Sequence, residues 1–401
     1  MTTFRPANEH ELGDCLTHAL ADKQTLDVRG RGTKRGLGRD MQTDHVLDMS
    51  GFSGITLYEP EELILQARAG TPLAEIETAL TAHKQELAFE PCDLGPLLRG
   101  VAGEGSVGGM FACNLSGPRR IKAGAARDHF LGVTAYSGRA EMFKAGGRVV
   151  KNVTGYDLCK LLANSYGTLC VMTDVTVKVL PAAEKTRTVL VFGLDDTAGV
   201  AVLTKALASA HEISAAAHLP ADVAGRSSVS HVRNAGTSVT AIRVEGPARS
   251  VAHRCEALRK LLGAGEELHS QNSKVFWCEL RDVHPFVDDP RAVWRISVAP
   301  QAGPAVGVAL KGLGDVSVFY DWGGGLLWAA MLPGVSPLDI RAEVTAVGGG
   351  HAMLVRGDSE LRKTIPVFEP QKPALAGLTR RIKDAFDPQR ILNPGRLAPD
   401  S

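Results

Sequence analysis

The 401-residue sequence lacks the features that mark several classes of protein. Its 45 basic residues nearly balance its 44 acidic ones, so the strong basic excess typical of nucleic-acid-binding proteins is missing. The longest stretch without a charged residue, 322–338, contains four glycines and two prolines and does not suit a membrane-spanning helix. The N-terminus reaches Glu9 without the basic and apolar regions of a signal peptide. We therefore expect a cytoplasmic protein without a nucleic-acid partner.

Clustered cysteines are missing as well. The seven cysteines are odd in number and contain no C-x-x-C pair, so we expect mostly buried, reduced thiols. Iron–sulfur and structural zinc sites need clustered soft ligands, and we predict no metal site on this chain. An electron-transfer role would then require a bound organic cofactor or a partner protein.

The length exceeds what one hydrophobic core usually supports, so the sequence predicts an α+β protein with more than one domain. We place a first domain at 1–183, a second at 184–365 and a tail at 366–401 that returns to the first domain. Two β-α-β halves in the second domain predict a ferredoxin-like fold, and we find no internal repeat. The segments that carry these predictions are a helix from Asn8 to about Asp22, strands at 26–28, 45–49, 55–58 and 63–69, a helix from Thr71, an irregular stretch at 93–127, strands at 189–193, 239–244, 275–280 and 293–298, and helices at 198–209, 251–262 and 374–386.

Residues 170–180 alternate between apolar and other side chains, which predicts a strand closed by Pro181. On this pattern one face of the strand carries Val171, Thr173, Val175, Val177 and Val179.

Two glycine-rich loops are candidates for binding a dinucleotide. Residues 103–108 match G-x-G-x-x-G, and Asp128 follows twenty residues later, but no strand directly precedes the motif and no long helix directly follows it. A Rossmann site is therefore disfavoured. Alternatively, the loops 29–34 and 103–109 hold a diphosphate from both sides through inward-facing backbone N–H groups, without a helix dipole. Each loop taken alone could equally be an ordinary tight turn.

A third segment brings a family resemblance. Residues 151–158 read K-N-V-T-G-Y-D-L, residues 164–173 read N-S-Y-G-T-L-C-V-M-T, and the alternating strand follows. This segment resembles the FAD-binding domain of the vanillyl-alcohol oxidase and para-cresol methylhydroxylase superfamily, from whose pattern it departs at Asn164, Tyr166 and Cys170. With G-G-M-F-A-C-N-L-S-G-P-R-R at 108–120, W-R-I-S at 294–297, D-W-G-G at 321–324 and N-P-G-R at 393–396, the whole chain resembles the FAD-binding subunits of glycolate oxidase, also called glycolate dehydrogenase.

The resemblance implies a two-subdomain FAD-binding fold of the vanillyl-alcohol oxidase type, followed by a ferredoxin-like α+β cap domain. It also implies a bound FAD, a small 2-hydroxy acid as substrate, and two partners: a related FAD-containing subunit and an iron–sulfur subunit that delivers electrons to quinone. Because the loop 29–34 contains neither histidine nor cysteine, we predict that FAD is bound non-covalently. Any membrane association would be peripheral, through the partners.

Carried over to this sequence, the resemblance assigns cofactor contacts to four groups of residues. The pyrophosphate loop would be Arg29, Gly30, Arg31, Gly32, Thr33 and Lys34, closed from the other side by Gly103, Ser106, Gly108 and Gly109. Along the ribityl chain and the isoalloxazine edge would lie Asn114, Ser116 and Gly117. Around the flavin and the adenine would lie Gly155, Tyr156, Asp157, Gly167, Thr168 and Val171.

Oxidation of a 2-hydroxy acid needs a cation for the carboxylate and a base for the hydroxyl proton. Arg295, on a predicted strand, suits the first task, and His351, after three glycines, suits the second. Structural roles for both remain the alternative: a pairing with a carboxylate for Arg295 and a turn or core position for His351. The related partner carries, in family terms, a histidine-rich signature that this sequence lacks, so a non-catalytic flavin-binding or relay subunit is a second interpretation. A stand-alone flavin oxidase of another hydroxylated substrate is a third.

The remaining candidates are basic or aromatic. Arg119, Arg120 and Lys122 form a basic cluster that would either offset phosphate charge or form a solvated rim. All four tryptophans fall in the second domain, where packing in the core or at a subunit interface is expected.

Overall fold

The computed structural model describes residues 1–149, 155–263, 265–332 and 334–399. Up to residue 182 these form β1 Thr3–Phe4, α1 Glu9–Ala21, β2 Leu26–Arg29, β3 His45–Asp48, β4 Ile55–Glu59, β5 Ile64–Arg68, α2 Leu73–Ala82, β6 Gln85–Glu86, α3 Val107–Cys113, α4 Arg120–Ala123, β7 Phe130–Ser137, β8 Met142–Gly146, α5 Leu158–Leu162, β9 Cys170–Lys178 and β10 Leu180–Pro181. The following residues form β11 Lys185–Phe192, α6 Asp196–Leu207, β12 Ala215–Leu219, α7 Ala221–Ala224, α8 Ser230–Arg233, β13 Val239–Gly246, α9 Ala248–Leu262, β14 Glu266–His269, α10 Ser270–Arg281, β15 Ala292–Ser297, α11 Gly303–Gly312, β16 Val316–Asp321, β17 Leu326–Met331, α12 Pro337–Ala346, β18 His351–Arg356, α13 Ser359–Thr364 and α14 Pro373–Phe386.

The chain divides into two compact units. The first unit comprises Met1–Leu115, Ala125–Ala182 and Pro366–Ser401, and the second comprises Ser116–Gly124 and Ala183–Ile365. The sequence assigns residues 116–124 to the first domain, whereas the structure groups them with the second unit. The reason is local: Arg119 donates a 2.8 Å hydrogen bond to Glu245, and the Trp322 indole donates to the carbonyl of Gly117.

The first unit contains two main sheets. Strands β1, β3 and β2 form a parallel three-stranded sheet, and β4, β5, β9, β7 and β8 form an antiparallel five-stranded sheet in that order. Helix α1 begins as predicted, because the side chain of Asn8 caps the N–H of Glu11. Its apolar face, with Leu12, Leu16 and Ala19, packs in the cluster that also contains Leu26 and Leu47 of the three-stranded sheet.

Strand β9 departs from the predicted alternation at a β-bulge. Thr134 of β7 pairs with Asp174 but the next residue, Ala135, pairs with Met172, so Thr173 is the extra residue. A one-residue insertion moves the following side chains to the opposite face. One hydrophobic cluster consequently contains Cys170, Met172, Val175, Val177 and Val179. Val171 instead packs in the cluster of helix α1 and the three-stranded sheet. The prediction that Val171 and Val175 lie on the same face was therefore wrong.

The stretch 93–127, which shows no sustained sequence period, contains two short helices, α3 and α4. Helix α3 was missed because its apolar residues, Val107, Met110, Phe111 and Cys113, are mixed with two glycines that carry no periodic signal. Ser106 caps this helix by accepting a hydrogen bond from the N–H of Gly109.

The second unit is built on an eight-stranded antiparallel sheet in the order β14, β11, β13, β12, β16, β17, β15, β18. The order β14-β11-β13-β12 is ferredoxin-like, and β18-β15-β17-β16 repeats it with the same β-α-β-β-α-β succession of elements. The two halves join between β12 and β16, where His218 lies opposite Tyr320. A structural repeat is thus present that the sequence analysis did not detect, since no recurring residue pattern marks it.

Residues 275–280 were predicted as a strand and instead lie in helix α10. The buried positions Ser273, Phe276, Trp277 and Leu280 follow the three- and four-residue spacing of a helix face. The short apolar run that suggested a strand is the part of this face with the largest side chains.

Candidate cofactor-binding site

The candidate site is a cavity in the first unit. Four segments supply most of its lining: the end of β2 with the loop that follows, helix α3, the chain around the start of β9, and the tail that follows α14. Met49 and Ala69 complete the lining. Eleven of the predicted cofactor residues line it, namely Arg29, Gly30, Arg31, Gly32, Thr33, Lys34, Ser106, Gly108, Gly109, Gly167 and Val171.

The two glycine loops meet directly. A β-carbon added to Gly30 would lie 2.5 Å from the Ser106 hydroxyl oxygen, and one added to Gly108 would lie 2.8 Å from the Ala69 carbonyl oxygen. Both positions therefore require glycine for the chains to approach this closely. Arg31 also donates a 2.8 Å hydrogen bond from Nε to Glu104, which joins the two loops at the surface.

The cavity is positively charged. Five basic residues line it (Arg29, Arg31, Lys34, Arg35 and Arg396) against one acidic residue, Asp27. The Asp27 carboxylate is buried and lies 3.1 Å from the Nε of Arg35 and 3.8 Å from that of Arg29. Burial lowers the pKa of the Lys34 ammonium and that of the Arg396 guanidinium. Such a cavity favours an anionic ligand.

The residues present fit FAD. The diphosphate is the charged part of FAD, and backbone N–H groups of a glycine loop together with buried cations are suitable donors for it. The cavity lies beside the loop 29–34, and the Nε of Arg396, which lines it, is a buried donor without a hydrogen-bond partner among the described residues. The loop 29–34, Ser106 and the tail would hold the cofactor.

The tail residues were missed as site residues by the sequence analysis. Asn393 accepts a hydrogen bond from the N–H of Val28 (2.7 Å) and donates to the carbonyl of Tyr166 (2.8 Å), and both Asn393 and Arg396 line the cavity. The motif N-P-G-R at 393–396 was used for the family resemblance, and its polar side chains were the available signal. Asp27 also lines the cavity and belongs to none of the motifs used. Cys113 lines it too and lies in the motif at 108–120, but it was assigned no role.

Several predicted cofactor residues do not line the cavity. Gly103 is exposed and donates its N–H to Asp93, Asn114 accepts from the N–H of Arg127, and Thr168 donates to the carbonyl of Ser165. Gly155 and Tyr156 lie in an exposed turn, with Tyr156 92% exposed, and Asp157 caps helix α5. Residues 151–154 of the family motif lie outside the described residues.

Ser116 and Gly117 belong to the second unit, as does the basic cluster that follows them. Arg119 pairs with Glu245, and the guanidinium carbon of Arg120 lies 4.4 Å from the centre of the Trp322 ring. Lys122 is 3.6 Å from Glu212. Arg119 and Arg120 therefore contact side chains of the second unit rather than forming a solvated rim, and the phosphate role stays a prediction.

The two predicted catalytic residues lie on the same face of the second unit's sheet. His351 is the first residue of β18, an edge strand, and lies opposite Ser297 of β15. Arg295 is two residues before Ser297 and so shares its face. The Arg295 guanidinium carbon lies 5.0 Å from the centre of the Trp322 ring, and His351 is exposed. All four tryptophans are buried.

Most of the cysteine thiols are buried. Cys92, Cys113, Cys159, Cys170 and Cys255 are buried, and burial raises the pKa of Cys159 and Cys170 to about 12. In the part of the chain that the structure describes, no group of three His, Cys, Asp or Glu side chains is placed to hold a metal ion, and no helix is long and apolar enough to cross a bilayer.

Comparison with known families gives two matches. Residues 2–146 match the family described as FAD binding domain, and residues 366–397 match the C-terminal domain of FAD linked oxidases. Among solved structures, 4-ethylphenol oxidase from Gulosibacter chungangensis and p-cresol methylhydroxylase each give a TM-score of 0.71 at 13% identity, over 99% of this chain and 88% of theirs. These likenesses confirm the predicted FAD-binding fold.

Related sequences narrow the family. The glycolate oxidase subunit GlcE of Escherichia coli is 34% identical over 384 residues, which cover 95% of each chain. An uncharacterised FAD-linked oxidoreductase of Mycobacterium tuberculosis is 24% identical over 99% of this chain and 90% of its own. The D-lactate dehydrogenase of Archaeoglobus fulgidus is 30% identical, over 44% of this chain and 38% of its own. With FAD as its cofactor, this chain belongs to the GlcE family of FAD-linked oxidoreductases.

Proposed function

We propose that this chain is the FAD-binding subunit of a glycolate dehydrogenase complex that oxidises glycolate, a small 2-hydroxy acid, to glyoxylate. The 34% identity to a glycolate oxidase subunit over nearly the whole chain supports this assignment. The observation that carries it is the cavity of the first unit, where a glycine loop, the start of α3 and the tail surround a positively charged space.

When bound, FAD would accept a hydride, that is, two electrons and a proton, from the substrate. We infer that it is held non-covalently, because the loop 29–34 offers no histidine or cysteine for a covalent bond. Acid precipitation of the purified protein should leave the flavin colour in the supernatant, and colour retained in the pellet would contradict this.

For the substrate we propose Arg295 and His351. The planar guanidinium of Arg295 would bind the carboxylate of a 2-hydroxy acid through two hydrogen bonds. An imidazole nitrogen of His351 would accept the hydroxyl proton while the hydrogen on carbon leaves as hydride. Support comes from their placement on one face of the sheet, in two neighbouring strands.

Anaerobic reduction of the bound flavin by glycolate tests the proposal, first with this chain alone and then with its partners. We expect Arg295→Ala to raise the glycolate concentration that gives half-maximal flavin reduction about tenfold, since a charged hydrogen-bonding group is lost. His351→Ala should slow flavin reduction about a hundredfold through loss of the base. The controls are Arg249→Ala and His253→Ala, which change exposed residues of helix α9 in the same unit. If both test variants keep FAD and reduce it at the normal rate, this chain does not carry the substrate site.

A second candidate function is a flavin-binding relay subunit, with substrate oxidised on the related partner. Two observations favour it: His351 is exposed on an edge strand, and the guanidinium of Arg295 already lies over Trp322. Normal turnover of the assembled complex with both variants would select this function.

We further propose that the partners are a related FAD-containing subunit and an iron–sulfur subunit, since delivery of electrons to a membrane quinone generally proceeds through one-electron carriers. The complex would be cytoplasmic and peripheral to the membrane. Co-purification from membrane and soluble fractions tests this, and quinone reduction by this chain alone at the rate of the complex would contradict it.

A further inference from the structure

Three of the sequence motifs used for the family resemblance meet at the indole ring of Trp322 in the second unit. The guanidinium carbon of Arg120, from the motif at 108–120, lies 4.4 Å from the centre of this ring. That of Arg295, from the motif W-R-I-S, lies 5.0 Å from the same centre. The indole N–H also donates a 3.1 Å hydrogen bond to the carbonyl of Gly117, which precedes Arg120 in the same motif. Two cations are therefore held around one aromatic ring.

The backbone at Trp322 helps to fix this ring. Trp322 has φ = +53°, in the left-handed region that residues with a bulky side chain rarely adopt. Its N–H donates a 2.7 Å hydrogen bond to the carboxylate of Asp321, which is buried. Such a conformation persists only where the surrounding contacts determine it. The turn between β16 and β17 thus holds the indole in place for both guanidinium groups.

Arg295 lies on the face of the sheet that is opposite to Trp294. Helix α12 packs on the Trp294 face, since the guanidinium carbon of Arg341 lies 5.7 Å from the centre of the Trp294 ring. Neighbouring side chains of a strand point to opposite faces, so Arg295 points away from this helix. Met353 of β18 lies opposite Arg295, and His351 lies two residues before it on the same face. The arginines therefore act on the face that carries the proposed base.

Stacking on an aromatic ring leaves a guanidinium able to bind a carboxylate. The flat face of the group contacts the ring, whereas its N–H groups point outward in the plane and match the two oxygens of a carboxylate. Two cations around one ring repel each other, and a bound carboxylate would lower that repulsion. Arg120 and Arg295 are both half-buried, so salt screens their charges less than those of exposed side chains. The pair suits a small planar anion.

We propose that Arg120 and Arg295 together form a carboxylate-binding site, in which Arg120 is a second ligand to the carboxylate of the 2-hydroxy acid. The proposal rests on the proposed function, which gives Arg295 the substrate carboxylate. It adds a residue from the segment Ser116–Gly124, which lies outside the strands of the sheet.

The test measures binding of oxamate to the full-length protein with FAD bound, by isothermal titration calorimetry. Oxamate is a two-carbon carboxylate with no hydrogen on carbon, so it binds without being oxidised. Arg120→Met should raise the Kd for oxamate about tenfold, the effect of losing one charged hydrogen-bonding group, and Arg120→Lys should recover part of the affinity. Arg249→Met changes an exposed arginine of α9 and should bind oxamate as the unchanged protein does.

The neutral compound glycolamide separates a carboxylate ligand from a merely structural residue. Its binding should be the same in Arg120→Met as in the unchanged protein, and equal weakening for oxamate and glycolamide would overturn the proposal. If Arg120→Met does not fold, Arg120→Gln must show the weaker oxamate binding, and unchanged affinity in that variant would likewise overturn it.

The same variants distinguish this proposal from the proposed function. Weaker oxamate binding in Arg295→Ala but not in Arg120→Met would overturn the role of Arg120 and leave that of Arg295 intact. Oxamate binding that depends on both arginines would support the carboxylate site. If the assembled complex with either variant then oxidised glycolate at the normal rate, the proposed function of this chain would fail while the carboxylate site would stand. Absence of saturable oxamate binding to the unchanged protein would overturn the site itself.

Discussion

The cavity of the first unit and the cluster around Asp196 in the second unit are both buried and charged, but their charges are satisfied differently. Asp196 accepts hydrogen bonds from Lys311 at 2.6 Å and from the Tyr320 hydroxyl at 2.7 Å, and His218 lies 3.5 Å away. Burial would raise the pKa of Asp196, yet hydrogen bonds from these donors hold it well below its usual range. Among the residues that line the cavity, by contrast, basic side chains outnumber acidic ones, and the Nε of Arg396 has no hydrogen-bond partner in the described part of the chain.

This difference distinguishes buried charges that stabilise the fold from buried charges that are suited to bind a ligand. The Asp196 cluster lies where the two ferredoxin-like halves join, since His218 and Tyr320 are the opposing residues of β12 and β16. Asp196 supplies the acceptor for Lys311 and for the Tyr320 hydroxyl, whereas the Nε2 of His218 has no hydrogen-bond partner among the described residues. The paired groups are expected to stabilise the sheet. The cavity has an excess of basic side chains, which a bound anion would balance. Substitutions in the Asp196 cluster should therefore alter the stability of the fold, and substitutions in the cavity should alter cofactor binding.

The largest expected effect is complete loss of FAD in Gly32→Val. Gly32 has φ = +76° and lines the cavity, so valine would be strained by roughly 1–2 kcal/mol and would fill space beside the cofactor loop. Gly103→Val is the matched control: Gly103 has the same φ but is exposed and lies outside the cavity. Flavin content of the purified variants is the measurement. Equal loss in both would show that Gly103 contacts the cofactor after all, as the sequence suggested.

The first unit shows what sequence alone could predict. The loop 29–34 and Ser106, Gly108 and Gly109 were identified because close approach of backbone to an anion needs glycine within a few neighbouring positions, and such a need is visible locally. Asn393 and Arg396 are more than 350 residues from Val28 and Lys34, their partners. The sequence analysis predicted that the tail returns to the first domain, but no local pattern shows which of its side chains contact the loop. The bulge at Thr173 was equally invisible.

In the second unit, strands and helices with strong patterns were located, such as β13 and α9, but the duplication was not. Strand β12 reads A-A-A-H-L and has the low β-propensity of alanine, so it was missed, and with it the complete first repeat. Helix α10 was assigned as a strand because its apolar run is short. Arg295 and His351 came from chemistry rather than from structure, and sequence could not show that both lie on one face.

The second expected effect is on stability. Asp196→Ala should lower the stability of the apo chain by about 3 kcal/mol, because the buried Tyr320 hydroxyl loses its acceptor and Lys311 loses its partner. Asp195→Asn is the control, since Asp195 caps α6 through its side chain and asparagine caps equally well. Thermal unfolding gives the result, and FAD affinity at a temperature where both variants are folded should be unchanged. A fall in FAD affinity without loss of stability would remove the proposed distinction.

The smallest expected effect concerns Glu245, which fastens the segment Ser116–Gly124 to the second unit through Arg119. Burial would raise its pKa, but the charges of Arg243 and Arg119 outweigh this and hold the pKa at about 2. Because this folded-state value lies below the ordinary value of 4.5, the stabilisation is complete above pH 4.5 and declines as the pH falls toward 2. Glu245→Gln removes the charge but preserves the shape, so it should cost about 2 kcal/mol at pH 7 and progressively less below pH 4.5.

Unfolding of the unchanged chain and of Glu245→Gln by urea at pH 7, 4.5 and 3.5 measures this convergence. Glu212→Gln serves as the control, because Glu212 is exposed and its contacts with Lys122 and Arg254 are 3.6 Å long, so its removal should change stability little at any of these pH values. A stability difference for Glu245→Gln that stays constant from pH 7 to 3.5 would mean that its charge is not what holds the segment. The ion pair of Glu245 and Arg119 would then contribute little to stability. The Asp196 cluster would remain the example of buried charges that stabilise the second unit.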